Sequence, residues 1–302
     1  MIGLNSAMIR AALPIVAALV LTAGGYAKAG AGAGVTTAVS DLSEPQTGTV
    51  ARVEDGETLE LTDGSVVRLI GAKAPSPPLG WTGDHPWPLV EEAKQALDRL
   101  ASGAEVELRF GGRRVDRHGH ALAQVFVVKG KTRVWLQQAL VAEGLARVYS
   151  FPDNRACVSE LMAREAEARA ARKGVWGVSA YRIRDAAEDP EQIARLKHSY
   201  QLVEGVVAAV GGGAARTYLN FGQDWHTDFT VEIERKDKAA FASAGIDLGA
   251  LAAKRIRVRG WIEWRNGPMI RASHPEQIEV LPADAAPNPV RPEPHAAGAV
   301  AL

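Results

Sequence analysis

The chain has 302 residues, 47% of them hydrophobic, and its 35 Lys and Arg are cancelled by 35 Asp and Glu. That length points to two domains, and the zero formal charge excludes a protein held to nucleic acid by bulk positive charge alone. A single cysteine, Cys157, excludes both an intrachain disulfide and a thiolate metal site, and reads as a small buried residue.

Arg10 precedes an apolar run from Ala11 to Leu21, with small residues following at Ala27 and Ala29. This is the shape of a secretory signal over residues 1–29, and the run is shorter than the about 20 apolar residues a membrane span needs. An exported protein, periplasmic or secreted, is expected, with no stable membrane insertion after cleavage. A retained N-terminal anchor is the alternative. Residues 30–46, rich in Gly, Ala, Thr and Ser, read as a flexible linker.

Between Val50 and Ile70 apolar strand residues are interrupted by Asp55-Gly56 and Asp63-Gly64, predicting three short strands folded on two turns. Leu59 and Leu61 alternate with Thr58 and Glu60, as a half-buried strand requires. The loop 71–76 should close this meander at one mouth of a barrel, so chemistry is expected near Asp55, Glu57, Arg68 and that loop. A Pro- and Trp-rich loop from Pro75 to Pro88 offers Trp81 and Trp87 as stacking platforms for bases, or as pins holding the loop to the barrel. Helical periodicity follows over Leu89–Ala101, then strands over Glu105–Phe110 and Ala121–Val128, then helices over Val134–Glu143 and Ser159–Lys173. Five strands with three helices amount to a barrel of the OB type.

The segments VEDGETLEL, VRLIGAKAP, DRHGHALAQV, LVAEGLARVY and EAEARAARKGVWG, in that order, resemble the staphylococcal nuclease (thermonuclease) family over about residues 47–177. The resemblance implies hydrolysis of phosphodiesters with a calcium ion on carboxylates, a glutamate that activates water, and two arginines that clamp phosphate. It assigns Asp55 and Glu57 to the metal site and Arg68 to the first arginine. From there the pattern departs from the family. Lys73 stands where the second metal carboxylate belongs, Ser76 where the general base belongs, and His120 where the second arginine belongs.

An ammonium about 4 Å from a divalent ion repels it by about 8 kcal/mol at an effective dielectric near 20. Loss of the general base costs about 10²–10⁴ in rate. The expectation is therefore a degraded catalytic pattern that needs no cofactor, with Lys73 among Asp55 and Glu57 as a built-in cation. Calcium enters only if the altered site is active. Asp116, His118 and His120 alternate, so one strand face could instead offer an Asp-His-His set to zinc, or His118 could pack and His120 touch phosphate weakly. Arg52, Arg68, Lys73, Arg113, Arg114 and Arg117 form either a basic rim around the cleft or a mixed solvated surface.

In the second half, Tyr181–Ser199 reads as the linker segment (178–199). Strands are expected at Leu202–Val210, Arg216–Phe221, Asp228–Ile233, Ile256–Trp264 and Pro268–Ala272, with a short helix at Lys238–Gly245. A helix between the third and fourth of five strands is again the OB order, giving an OB-like domain over 200–282. The whole is mainly β with helices (α+β), two small barrels in series. Tyr218, Phe221, Trp225, Trp261 and Trp264, with Arg216, Arg257, Arg259 and Arg265, could line a groove for single-stranded nucleic acid, or pack the core. Residues 283–302, rich in Ala and Pro, read as a disordered tail. Two functions stay open: a binding protein on a nuclease scaffold, or a nuclease with an altered metal site.

Overall fold

The Asp-Gly turns fold the start of the first barrel in the computed structural model, which describes residues 41–282 apart from Asp84, Asp189 and Trp225. The expected signal at 1–29, most of the 30–46 segment, the 283–302 tail and Trp225 lie outside the described residues. Strands β1 (Gln46–Val53), β2 (Thr58–Leu61) and β3 (Val66–Leu69) form an antiparallel meander. Asp63 Oδ1 accepts the Ser65 N–H (2.9 Å), and Gly64 takes the positive φ that this turn demands. Three residues then form β4 (Gly71–Lys73), where a loop was expected.

Helix α1 (Val90–Ala101) covers one end of the barrel and buries Ala93, Ala96, Leu97 and Ala101. Strands β5 (Glu105–Arg109) and β6 (Ala121–Lys129) complete the ring. β5 pairs with β1, β6 pairs with β5, and β6 runs parallel to β3, so β1-β2-β3-β6-β5 closes on itself in the OB order. Strand β7 (Thr132–Trp135) extends the sheet, so α2 (Leu136–Ala142) begins later than periodicity alone suggested. β8 (Arg147–Tyr149) pairs only with β4, and α3 (Val158–Ala170) packs behind it. The alternating Val, Leu and Phe residues of these strands form one buried cluster with the apolar faces of the helices.

Beyond α3, residues 178–199 do more than connect. β9 (Arg184–Asp185) lies parallel to β10 (Tyr200–Val206), and helix α4 (Pro190–Ala194) buries Ile193. Tyr181 and Ile183 join Ala168, Val175, Trp176, Tyr200 and Leu202 in an apolar cluster shared by both barrels. The second barrel continues with β11 (Ala209–Gly212), β12 (Arg216–Asn220), β13 (Thr230–Glu234), α5 (Lys238–Ser243), β14 (Arg255–Trp264), β15 (Pro268–Arg271) and β16 (Ile278–Val280). The strand expected as Leu202–Val210 breaks at Val207 and Ala208. β10 pairs with β14, while β11 turns away to pair with β12. With β13 parallel to β15 and β15 antiparallel to β14, the second ring repeats the order of the first. The described residues fall within one compact unit.

A charged network joins the two barrels. Arg259 on β14, only 1% exposed, donates to Glu165 Oε2 on α3 (2.7 Å), to the Val148 carbonyl (3.1 Å) and to Glu279 on β16. Glu165 Oε1 in turn accepts the Val148 N–H (2.7 Å). Burial works against the Arg259 charge, but Glu165, Tyr200 and Glu279 outweigh it and hold the guanidinium above its ordinary pKa. Nearby, Ser150 Oγ lies 2.7 Å from His274 Nε2, and Arg155 grips Glu276 (2.8 Å).

Removing one partner of a buried ion pair strands the other, so Arg259→Ala should lower stability by about 3–5 kcal/mol, read from urea unfolding. An exposed, dispensable arginine would cost almost nothing. A second check is pH. Burial chiefly, with Arg155 and Arg259 assisting against Glu276 and Asp153, pushes the His274 imidazole from 6.5 down to about 4. The neutral ring is thus favoured on folding, and its contribution is complete above pH 6.5 and lost as pH falls toward 4. The thermal midpoint should drop across that window, and His274→Gln should flatten the drop relative to the parent protein.

Candidate functional site

Glu57 is the centre of the first barrel's mouth. The turn after β1 is held by Asp55 Oδ1 accepting the Glu57 N–H (2.8 Å), which aims the glutamate inward and leaves Asp55 exposed. Gly56 between them permits the approach, because a Cβ there would lie 2.7 Å from that of Ala74 and 2.9 Å from that of Ala93. Glu57 Oε1 accepts from Arg68 Nη2 (2.8 Å) and Lys73 Nζ (3.0 Å), and Oε2 accepts the Ala74 N–H (2.7 Å). Arg68 comes from β3 and Lys73 from the end of β4. Their convergence on one carboxylate follows from the strand order.

Lys73 therefore pairs with Glu57, while Asp55 serves the backbone turn. This donor set does not fit calcium, which needs six to eight oxygens at about 2.3–2.6 Å. Both oxygens of Glu57 are taken by three donors, and an ammonium stands 3.0 Å from one of them. Ser76 lies exposed beyond the strand end, on the rim of the cleft between the barrels.

The segment Asp116–His120 is a tight turn, not the strand face that alternation suggested. Asp116 N–H donates to the His120 carbonyl (2.9 Å), and Asp116 Oδ1 accepts the N–H groups of His118 (2.7 Å) and His120 (3.0 Å). Oδ1 is spent on the turn and Oδ2 faces His120, so Asp116, His118 and His120 do not present an open ligand set. Among the described residues, no group of three or more His, Cys, Asp and Glu is placed to hold a metal ion. Burial tends to raise the Asp116 carboxyl, but the two backbone N–H groups and the two imidazoles outweigh it and hold it below the ordinary range. Asp116 Oδ2 also lies 3.1 Å from His120 Nδ1 and 4.0 Å from Arg68 Nη1. Arg117 is exposed, with its Nε 2.9 Å from His118 Nε2. Of the remaining rim, Arg52 pairs with Glu54 and Glu60, Arg113 with Asp153, and Arg114 lies over the Phe110 ring.

The aromatic candidates divide among separate places. Trp81 and Trp87 meet edge to face (5.0 Å between centroids), and Trp87 does the same with Tyr181 (6.2 Å), pinning the Pro-rich loop against the barrel junction. Trp261 donates from Nε1 to the Tyr149 hydroxyl (2.9 Å) across the same junction. Burial, against the Trp261 hydrogen bond, pushes the Tyr149 phenol up. Phe221 is buried against Phe229 (5.3 Å), and Trp264 is exposed on β14. Arg257 and Arg259 are committed to Glu204, Glu165 and Glu279 and lie away from the Tyr218 cleft. Cys157 is buried, and burial followed by Glu160 and Asp41 pushes its thiol up to about 12, which leaves it unreactive.

Tyr218 lies on the open face of the second barrel, in a cleft of about 380 Å³ with Asn220, Thr230, Arg265 and Asn266. Beneath it Glu232, fully buried, is surrounded by Arg265 (3.2 Å), Arg271 (3.3 Å) and Arg216 (3.4 Å). Glu263 reaches Arg271, at 3.5 Å, and Glu234 stands opposite Arg216 on the neighbouring strand, so three guanidinium groups meet three carboxylates on this face. Sequence reading missed Glu232 and Arg271, along with Arg147, Tyr149, Glu165 and Glu279. Period-two alternation places Glu232 on a strand but carries no sign of the arginines that strand pairing brings around it.

A family model described as Staphylococcal nuclease homologue matches residues 66–178. No curated protein matches the chain. The matched range begins at β3 and so omits Asp55 and Glu57.

With both oxygens of Glu57 holding β3 and β4 together, Glu57→Gln should cost up to about 3 kcal/mol in urea unfolding, because Lys73 is left nearly buried without a counter-charge. An unchanged midpoint would mean that the carboxylate is not structural.

Proposed function

Because the chain carries a staphylococcal nuclease-like domain, we propose that it retains that family's affinity for phosphate-bearing polymers without the hydrolytic chemistry, and acts as an exported single-stranded nucleic-acid-binding protein. One observation carries this reading: the saturation of Glu57 by Arg68, Lys73 and the Ala74 N–H. A carboxylate so occupied cannot serve a hard dication, and no acid stands at Ser76 to take a proton from water. What remains is a barrel whose cations are held in place by their own counter-ion.

The second barrel supports binding more directly. OB-type barrels receive oligonucleotides on the face of strands two and three, flanked by the loops joining strands one to two and four to five. Tyr218, Arg216, Arg265 and Arg271 occupy that face, with Gly211, Gly212 and Asn266 at its edges. An aromatic ring beside three guanidinium groups suits stacked bases and a phosphate backbone. Export, to the periplasm or the medium, is supported by Arg10 and the apolar run to Leu21. Among the described residues no helix is long and apolar enough to cross a membrane.

A second reading has its own support. Asp116, His120 and Arg68 stand together at the barrel mouth, an arrangement able to move a proton beside a phosphate. The two readings part on one experiment. Single-stranded DNA and RNA are incubated with the purified protein in calcium, magnesium, manganese or zinc, and binding is followed by fluorescence anisotropy. Binding that weakens with salt and with Arg265→Ala, without cleavage, is expected. Cleavage abolished by Arg68→Ala would establish the nuclease instead. The triple change Lys73→Asp, Ser76→Glu and His120→Arg should introduce metal-dependent cleavage if the scaffold is otherwise intact.

A further inference from the structure

A cleft of about 530 Å³ lies between the two barrels. It is a place neither barrel has alone. β4, β8 and the start of the Pro-rich loop supply one wall, and β10, β14 and the residues just before β10 supply the other. Its lining includes Arg147, Lys73 and Ser76, with the rings of Trp87, Tyr181, Tyr200 and Trp261.

Arg147 is the unusual member. It is 7% exposed, yet among the described residues no carboxylate lies within 4.0 Å of its guanidinium and no acceptor takes a hydrogen bond from it. Arg259, buried as deeply, has two carboxylates. The faces of the Arg147 guanidinium are covered instead by Tyr181 (5.2 Å to the ring centroid) and Tyr200 (5.1 Å). Both rings hold the guanidinium beside the cleft, whose wall Arg147 helps to form. The carboxylate whose charge acts on it, Glu165, is already committed to Arg259 and to the Val148 N–H. Burial accordingly depresses the Arg147 pKa, as expected for a cation that awaits a partner.

A planar, preoriented guanidinium with free donors is the residue type that takes a phosphate or carboxylate in two parallel hydrogen bonds. Lys73 adds a second cation on the same wall, with ammonium protons beyond the one given to Glu57. Trp261, 39% exposed, and Trp87 offer ring surface in the same space. The volume is in the range of pockets that hold a small organic ligand, about 300–1,000 Å³. A dianionic phosphate suits two cations better than a carboxylate does, since a phosphomonoester carries about −1.5 to −2 at neutral pH.

We propose that the inter-barrel cleft binds a phosphomonoester carried on a flat heteroaromatic ring, with Arg147 as its phosphate receptor and Trp261 and Trp87 beside the ring. This is the chemistry shared by a nucleoside monophosphate and by the 5′-phosphorylated end of a strand. The site is separate from the arginine face of the second barrel and does not depend on that face binding a strand; it shares Lys73 and Ser76 with the mouth of the first barrel and rests on Lys73 standing there as a cation.

Isothermal titration calorimetry on the whole chain tests it, using AMP, adenosine, inorganic phosphate, and one short oligonucleotide with either a 5′-phosphate or a 5′-hydroxyl. Saturable binding is expected for AMP, for the phosphorylated oligonucleotide, or for both, and the tighter of the two identifies the source. Adenosine and inorganic phosphate should each bind at least about tenfold more weakly than AMP, since each lacks half of the recognition. Arg147→Gln should weaken binding by about tenfold or more while circular dichroism remains that of the parent. If that variant fails to fold, Ser76→Asp places a repelling charge on the exposed rim and should weaken phosphate-bearing ligands while leaving the melting temperature in place. The inference is overturned if neither phosphorylated ligand binds at millimolar concentration, if adenosine binds as well as AMP, if inorganic phosphate binds as tightly as AMP, or if the folded variants bind as the parent does. Arg265→Ala should leave AMP binding unchanged, which separates this result from the behaviour of the second barrel's face.

Discussion

A guanidinium buried between two barrels is the constraint from which most of this structure follows. Arg259 has lost its water, and Glu165, Glu279 and the Val148 carbonyl accept its hydrogen bonds instead. Those three acceptors come from α3, β16 and β8, so the barrels can meet in only one arrangement that satisfies it. The apolar cluster around Tyr181, Tyr200 and Trp176 contributes area without direction. The charge network supplies the direction, and with it the geometry of the cleft that Arg147 and Trp261 line.

Charge also ties separate elements together at the mouth of the first barrel. A dication would tie carboxylates from separate strands together. Here an ammonium from β4 and a guanidinium from β3 do so on Glu57 alone. These contacts clamp β3 and β4 on one carboxylate, and the ammonium that does so also lines the inter-barrel cleft.

Much of this was legible in the chain itself, because both barrels are written in local signals. Asp55-Gly56 and Asp63-Gly64 mark turns, Leu59 and Leu61 mark a buried strand face, and the position of α5 after β13 marks the second OB order. The substitutions at Lys73, Ser76 and His120 were equally visible, since each stands within a motif. Misreadings arose where distant residues decide. Asp116, His118 and His120 alternate like a strand, but Asp116 accepts two successive N–H groups and closes a turn. Arg257 and Arg259 looked like surface cations because nothing near them in sequence pairs with them. Glu165, which Arg259 needs, lies 94 residues away. Arg147 gave no signal, because its significance is the absence of a partner in a place that only the packed structure creates.

The placement of Glu165 bears on how such a chain can change over generations. A gene segment ending after α3 would keep Arg169 beside this glutamate but lose Arg259, and the segment left behind would keep Glu279 beside Arg259 but lose Glu165. Recombination at the natural-looking joint between the barrels therefore costs each side one buried counter-ion, while single replacements in the exposed rims and the cleft lining leave the weld untouched.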